Sequence, residues 1–510
     1  MIGILPLYDL SVYCKIFLRI ANSNKILKKR QSALIHMNNF IKQFINHKKN
    51  VRTFNDSKTN ASSQNPVLDL FFIAGASRTM SDADIVKIIA LSYEHNKIET
   101  LKVLFWARNC RGGAGERRFF RLGLRYLSEN DIEIHNAVLK YVPIVGRWDD
   151  LFETGLSYVL TEYREYIKDP KKDIALLAKW TPRKGRVFNV LRKELDLKPK
   201  QLRQILVYNT KVVETQMCEN KWKDIEYKKV PSVAFKKYSR AFRRHSEIRF
   251  DEYINKVLQG KEKINADVLF PHNIYSMYKR DVDHTERKTI TALWNALPNY
   301  MNESEKYQIL PVCDVSGSMM GLPMDVSVSL GCYLSERNNG AFKDAFITFS
   351  SNPKMHYLKG NIADRFDQLE KADWGMNTNL DKVFDKILEV ARKNNLSAEE
   401  IPEFLLIISD MEFDAGIRYN KTTYERIKSK FSWSKYNMPK IIFWNVNGRL
   451  GNVPVLEDDI GVALVSGFSP SIVKSVLSAK NIKPLDVMYE TINTGIGIQI
   501  EAELDKLSLL

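Results

Sequence analysis

Cysteine is sparse and scattered in this chain: Cys14, Cys110, Cys218, Cys313 and Cys332 include no Cys-x-x-Cys pair. That spacing argues against a disulfide framework or a zinc ribbon and points to free thiols in a reducing, cytoplasmic setting. The eight histidines include no His-Glu-x-x-His frame, which argues against a zinc protease. No Gly-x-x-x-x-Gly-Lys-Ser/Thr occurs, and with it goes a P-loop nucleotide enzyme. Nor is there an uninterrupted apolar run of about 20 residues, the length that crosses a bilayer. Residues 2–20 come nearest, but they carry Asp9, Lys15 and Arg19 and lead to no clear cleavage site. They read as an extension ahead of a start at Met37, with a signal peptide as the alternative, and no membrane partner is expected.

What the chain has in excess is positive charge, unevenly placed. Residues 1–300 hold 54 Lys and Arg against 32 Asp and Glu, a net +22, whereas residues 301–510 are net −5. A field of that sign attracts polyanions, and Lys and Arg contacts to phosphate dominate nucleic-acid affinity. A basic surface kept for solubility is the plain alternative. The 510 residues allow two or three domains, and 44% hydrophobic content suffices for a large core. Residues 47–66, rich in Asn, Ser, Lys and Gln, read as a flexible linker closing a basic extension over 1–66.

From 67 to 300 helical periodicity prevails. Segments such as Asp84–Leu91, Thr100–Trp106 and Leu202–Tyr208 repeat apolar residues at i, i+3 and i+4 with basic residues opposite. That predicts amphipathic helices packed as hairpins, an all-helical HEAT-like array without a fixed repeat. Within it Arg108, Arg111, Arg117, Arg118 and Arg121 flank Gly112, Gly113 and Gly115. The glycines break the helix, Glu116 is placed to cap the next one, and the loop can meet phosphates through backbone N–H groups and guanidinium forks. A second cluster, Lys236, Lys237, Arg240, Arg243 and Arg244, surrounds Phe235, Tyr238 and Phe242. The i, i+3, i+7 spacing of those rings suits the core face of one helix with cations on its other faces; platforms for stacked bases are the alternative.

After residue 300 the pattern changes. Apolar runs at 307–313, 345–349, 404–409, 441–446 and 461–466 alternate with helical patterns at 324–338, 379–394, 421–431 and 470–479. Alternation of this kind predicts a doubly wound, mostly parallel α/β domain over 305–490, followed by a tail at 491–510. Its first run ends in Asp314-Val315-Ser316-Gly317-Ser318, one carboxylate and two hydroxyls in a tight loop. Thr378 and Asp410 lie 64 and 96 residues after Asp314. Oxygen-only donors suit a hard cation, Mg²⁺ or Mn²⁺, and ligands gather at the carboxyl ends of strands in such sheets. Simple helix capping by Ser and Thr is the alternative.

In order and spacing, Asp314, Ser316, Ser318, Thr378 and Asp410 resemble the metal-ion-dependent adhesion site (MIDAS) of von Willebrand factor A domains. The resemblance implies a Rossmann-like fold, Mg²⁺ or Mn²⁺ on these five residues, and a coordination sphere completed by an acidic protein partner. One departure stands out. Those domains usually carry Gly after the last Asp, whereas Met411-Glu412-Phe413-Asp414 follows here, placing Glu412 or Asp414 near the metal. The segments Arg108–Arg118 and Gly146–Leu151 resemble parts of the TROVE module, the RNA-binding fold of the Ro ribonucleoprotein. There too, a helical-repeat module precedes a von Willebrand A-like domain.

Leu177–Pro182, Val230–Ser232, Lys236–His245 and Ser409–Phe413 together resemble a TROVE-like family of unknown function in plants, fungi, bacteria and large DNA viruses. Richness in Lys, Asn and Ile suits an AT-rich genome such as a viral one, which would add the virion as a location. The expected function is a non-enzymatic scaffold that binds single-stranded or frayed RNA and holds a divalent cation. A metal-dependent protein-interaction module without RNA binding is the first alternative. Phosphodiester cleavage by metals on Asp314, Asp410, Glu412 and Asp414 is the second.

Overall fold

Short polar side chains at the right positions start the helices, and buried apolar faces hold them. Ser81, Asn96 and Asp131 each accept a hydrogen bond from the backbone N–H three residues on, opening the helices Asp82–His95, Lys97–Arg108 and Ile132–Val138. The computed structural model describes residues 50–53, 55–280, 282–301, 308–348, 353–371, 379–414, 421–479 and 482–509. The readings at residues 2–20 and Met37, and Thr378, expected as a metal ligand, lie outside the described residues. Among the described residues, 61–308 contain helices and no strand, from Pro66–Ala74 to His284–Asn295. No described helix is long and apolar enough to cross a membrane. Cys110, Cys218, Cys313 and Cys332 are free thiols.

A short ladder of β1 (Asn50–Arg52) and β2 (Lys58–Asn60) precedes the helices. After them come β3 (Ile309–Cys313), β4 (Ala345–Thr348), β5 (Lys354–Tyr357), β6 (Phe404–Ser409), β7 (Lys440–Asn445) and β8 (Val462–Ser466). These six form one sheet in the order β5-β4-β3-β6-β7-β8, parallel except for β5 at the edge. β3, β6 and β8 are buried along their whole length, as strands covered on both faces must be. The α plus α/β layout expected from the apolar pattern is present. β5 escaped that pattern because Lys354, Met355 and Tyr357 are exposed on an edge strand.

Val51–Leu510 pack as one compact unit, so the helical and α/β parts are halves of a single body. Two expectations need correction on that account. Residues 51–53 and 55–65 form an ordered strap on the α/β half, not a flexible linker. Thr53 Oγ1 donates to Phe413 O at 2.8 Å, Asn55 Nδ2 to Glu412 O at 2.7 Å, and Asn60 and Val453 exchange backbone hydrogen bonds of 3.1 and 2.9 Å. Its polar composition marks side chains with fixed partners, since buried polar groups must be bonded. Likewise residues 491–509, expected as part of a tail, pack on the helical half: helix Ile496–Lys506 lies on Lys97–Arg108, with Lys102 Nζ 2.6 Å from Glu501 Oε2 and Lys140 Nζ 2.6 Å from Glu503 Oε1.

Helix Pro66–Ala74 seals the seam between the halves. Ser466 Oγ donates to Phe71 O at 2.7 Å and Asn445 Nδ2 to Phe72 O at 3.2 Å. The chains approach so closely there that a Cβ on Gly75 would stand 2.6 Å from Gly467 Cα. The seam therefore joins the helices to the carboxyl-end loops of the sheet.

Candidate functional site

β3 and β6 are parallel neighbours, with Cys313 opposite Ile408. Each runs directly into a carboxylate, Asp314 after β3 and Asp410 after β6. Counted within the sheet, the strand order is 3-2-1-4-5-6, and the chain reverses direction across the sheet between β3 and β6. That is the switch point where crevices open at the carboxyl ends of such sheets. The fold thus brings Asp314 and Asp410 together at the place where a doubly wound sheet binds ligands.

Hydrogen bonds fix the two carboxylates. Asp314 Oδ1 accepts from Ser316 N at 2.9 Å and Oδ2 from Ser409 Oγ at 2.5 Å, while Ser316 Oγ lies 3.1 Å from Ser318 Oγ. Asp410 Oδ1 accepts from Glu412 N at 3.2 Å. Its Oδ2 is buried outside hydrogen-bond geometry; the Ser318 hydroxyl and the Arg449 guanidinium, 3.8 Å away, only partly offset that burial. Burial, reinforced by the neighbouring Asp410 charge, pushes the Asp314 carboxyl up to about 6; burial raises Asp410 too. Two buried carboxylates that repel one another, with one oxygen orphaned, lack positive charge. Among the described residues no three of His, Cys, Asp and Glu converge, so a cation here would rest on Asp314 and Asp410 with the hydroxyls of Ser316 and Ser318. That donor set fits Mg²⁺ or Mn²⁺ and not a thiolate-seeking metal.

The residue after Asp410 explains the departure from the resembled pattern. Met411 has φ of +64°, in the left-handed region where glycine is favoured, so the turn survives with a methionine bearing the strain. Its buried side chain gives compensating packing. Glu412 turns to Asn452 Nδ2 at 3.1 Å and Arg449 Nη1 at 3.5 Å. Asp414 pairs through its backbone with Asp56 of the strap.

The Gly-Arg loop is built differently. Arg108 is buried, 2.7 Å from Asp150 Oδ2, and presents no face to a ligand from outside. Arg117 pairs with Asp149 and Asp150, and Arg121 holds Asp150 Oδ1 at 2.8 Å. Arg118 donates to the carbonyls of Ser77 and Met80 and lies 3.4 Å from Asp82. Glu116 makes no side-chain cap; it pairs with Arg78 at 2.7 Å. Gly113 lets the chain pass against Trp106 O, where a Cβ would collide, and Gly115 has φ of +71°. Arg111 and Gly112 stay exposed.

The second cluster lies on helix Ser232–His245. Phe235 and Phe242 are buried in the core and Tyr238 is half-buried, so the first two rings are packing residues. The cations on the remaining faces line a cleft of about 490 Å³, which Lys236, Lys237, Arg240, Arg243 and Arg244 share with Arg280. Arg240 pairs with Glu286, and Arg243 with Asp283 at 2.5 Å.

Comparison with known proteins assigns the same two halves. Residues 53–133 and 183–306 match a domain of unknown function, DUF2828, and residues 308–503 match another, DUF7788. Both halves resemble domains of unknown function. The chain is also similar to uncharacterized protein L728 of Acanthamoeba polyphaga mimivirus, 26% identical in an alignment of 502 positions that takes in 86% of each chain. The DUF2828 match begins at residue 53, taking in the strap, and the DUF7788 match runs through the C-terminal helices.

In the DUF7788-like half, residue spacing left Ser409, Arg449 and Asn452 out of the site. Ser409 stands in the quoted run beside Asp410 and was legible in principle. Arg449 and Asn452 arrive on the loop after β7, and no local pattern marks them. Arg280 in the DUF2828-like half was missed for the same reason: it meets helix Ser232–His245 only through tertiary packing.

Proposed function

We propose that the protein is a non-enzymatic RNA-binding scaffold whose α/β half, von Willebrand A-like, holds Mg²⁺ or Mn²⁺. Asp314, Ser316, Ser318 and Asp410 would hold the cation, with Thr378 as the fifth donor carried over from the MIDAS resemblance. The observation that carries the metal reading is the orphaned Asp410 Oδ2 beside buried Asp314. A dication there neutralises two charges whose burial is otherwise costly, and uncharged hydroxyls leave room for an acidic ligand. The RNA reading draws on the net +22 of residues 1–300 and on the TROVE-like order of a helical half before an α/β half. The metal-dependent module without RNA is the second reading. It is favoured by Met320, 77% exposed two residues from Ser318, which offers apolar surface beside an incoming carboxylate.

Calorimetric titration of the full chain tests the metal. Wild type should bind Mg²⁺, and Asp314→Ala should lose that binding while keeping its circular dichroism. Equal binding by both proteins, or none at millimolar Mg²⁺, sinks the metal reading. A filter-binding series tests RNA, whose affinity should fall steeply with salt. A flat response leaves only the protein-interaction module.

A further inference from the structure

Helix Ser232–His245 faces the segment carrying Met277 and Arg280 and the helix carrying Ile290 across the cleft. The cations on this face are not equivalent. Arg240 and Arg243 have acidic partners in Glu286 and Asp283, and these pairs pin the rim. Lys236, Arg244 and Arg280 have no carboxylate partner among the described residues. Lys236 Nζ touches only Ser276 Oγ, at 3.3 Å, and is half-buried. Burial, and then the charge of Arg280, hold its ammonium below the usual lysine range. A desolvated cation facing a second cation is unfavourable unless an anion joins them. Under the rim, Phe250, Met277 and Ile290 supply an apolar floor.

We propose that this cleft is a single-strand RNA site in which Lys236, Arg244 and Arg280 contact phosphate and the floor receives a nucleoside. It rests on the RNA half of the proposed function and says where that RNA lies. Positions 236, 240 and 244 follow one another at four-residue spacing, about 6 Å apart along the axis, so Lys236 and Arg244 stand about 12 Å apart on either side of Arg240. A phosphopeptide brings one dianion and leaves such a row unmatched, whereas a nucleic-acid strand brings a phosphate per residue. A lipid surface needs a convex face, and this one is concave. About 490 Å³ admits a nucleotide or two of a flexible strand and excludes a duplex. The phosphates come either from the backbone or from a strand terminus.

The test uses the full chain, short oligouridines with a 5′-phosphate or a 5′-hydroxyl, and a blunt duplex RNA, measured by fluorescence anisotropy over a salt series. The variant is Lys236→Gln/Arg244→Gln/Arg280→Gln. A control, Lys200→Gln/Lys393→Gln/Lys474→Gln, removes three exposed charges elsewhere. Each phosphate contact on a single strand contributes about 0.7 to the slope of log affinity against log salt, so the cleft variant should lose about 2 from that slope. Its affinity should fall about tenfold or more, while the control changes little. Loss confined to the 5′-phosphate strand assigns a terminal phosphate; equal loss on both strands assigns the backbone. Arg280→Gln alone, at an exposed position, gives a smaller loss of the same kind without disturbing the half-buried lysine. Wild-type affinity and slope in the triple variant overturn the cleft while RNA binding stands. Duplex binding as tight as single strand, or a phosphoserine peptide outcompeting RNA, also overturns it. Absence of RNA binding by wild type overturns the RNA reading itself.

Discussion

Two buried charge clusters in this molecule are built on opposite principles. Around Asp150 three guanidiniums converge on one carboxylate, and Asp149 serves two of them. Around Asp410 two carboxylates sit side by side and the one nearby guanidinium stays 3.8 Å off. Their titration differs accordingly. Burial pushes Asp150 up, but Arg108 and Arg121 outweigh it and hold the group below the usual carboxylate range. Burial lifts Asp314 to about 6 with nothing to pull it back far enough. In the first cluster every carboxylate is paired with arginine; in the second, two carboxylates share a single distant arginine.

The largest effect should come from breaking the arginine-paired cluster. Asp150→Ala leaves Arg108 buried without a counter-charge, which should cost about 3–5 kcal/mol, read from denaturant midpoints. A loss below about 1 kcal/mol would return the Gly-Arg arginines to the list of free phosphate contacts. Next is the pH response. With its folded pKa raised, Asp314 favours the folded state below pH 3.8, and that contribution vanishes as pH rises to about 6. In a chelator, Asp314→Asn should therefore stabilise the protein at pH 7 by on the order of 3 kcal/mol and do little at pH 4. Mg²⁺ should abolish that advantage. Asp150, with its folded pKa lowered, has the opposite sign: its contribution is present above pH 3.8 and is lost as acid protonates the folded carboxylate. Parallel pH profiles for the two sites would erase the distinction.

A smaller effect tests the turn after Asp410. Removing the Met411 side chain costs packing in either variant, but glycine tolerates φ of +64° and alanine does not. Met411→Gly should therefore be about 1 kcal/mol more stable than Met411→Ala, the reverse of the usual order. The smallest effect belongs to Arg111, exposed and bonded only weakly to Ile144 O at 3.5 Å. Arg111→Gln should leave stability within about 0.5 kcal/mol. It should also change RNA affinity much less than the cleft variant does.

Most of the sheet and helix layout was legible because apolar spacing is set by burial, and the buried strands β3, β6 and β8 are apolar up to the Ser409 and Ser466 that end the last two. The pair Asp314 and Asp410 was legible because each ends such a strand. What spacing could not reveal was pairing across long separations. Arg117 and Asp149 are 32 residues apart, and only the fold shows that the arginines read as a phosphate grip are engaged internally. The same reason hid Arg280 in the cleft. The strap at 51–53 and 55–65 was misread because Asn, Ser and Thr look alike whether they bond solvent or a protein backbone.

The clasp between Lys102 and Glu501 has a bearing on biogenesis. These partners are separated by 399 positions, so helix Lys97–Arg108 leaves the ribosome long before the helix that covers it exists. At about 5–20 residues per second the wait is roughly 20–80 s. During that interval apolar surface that the native state hides is open to other chains, and contacts of such range also slow the final closure. A fragment ending near residue 300 lacks helix Ile496–Lys506 and leaves that face of helix Lys97–Arg108 uncovered.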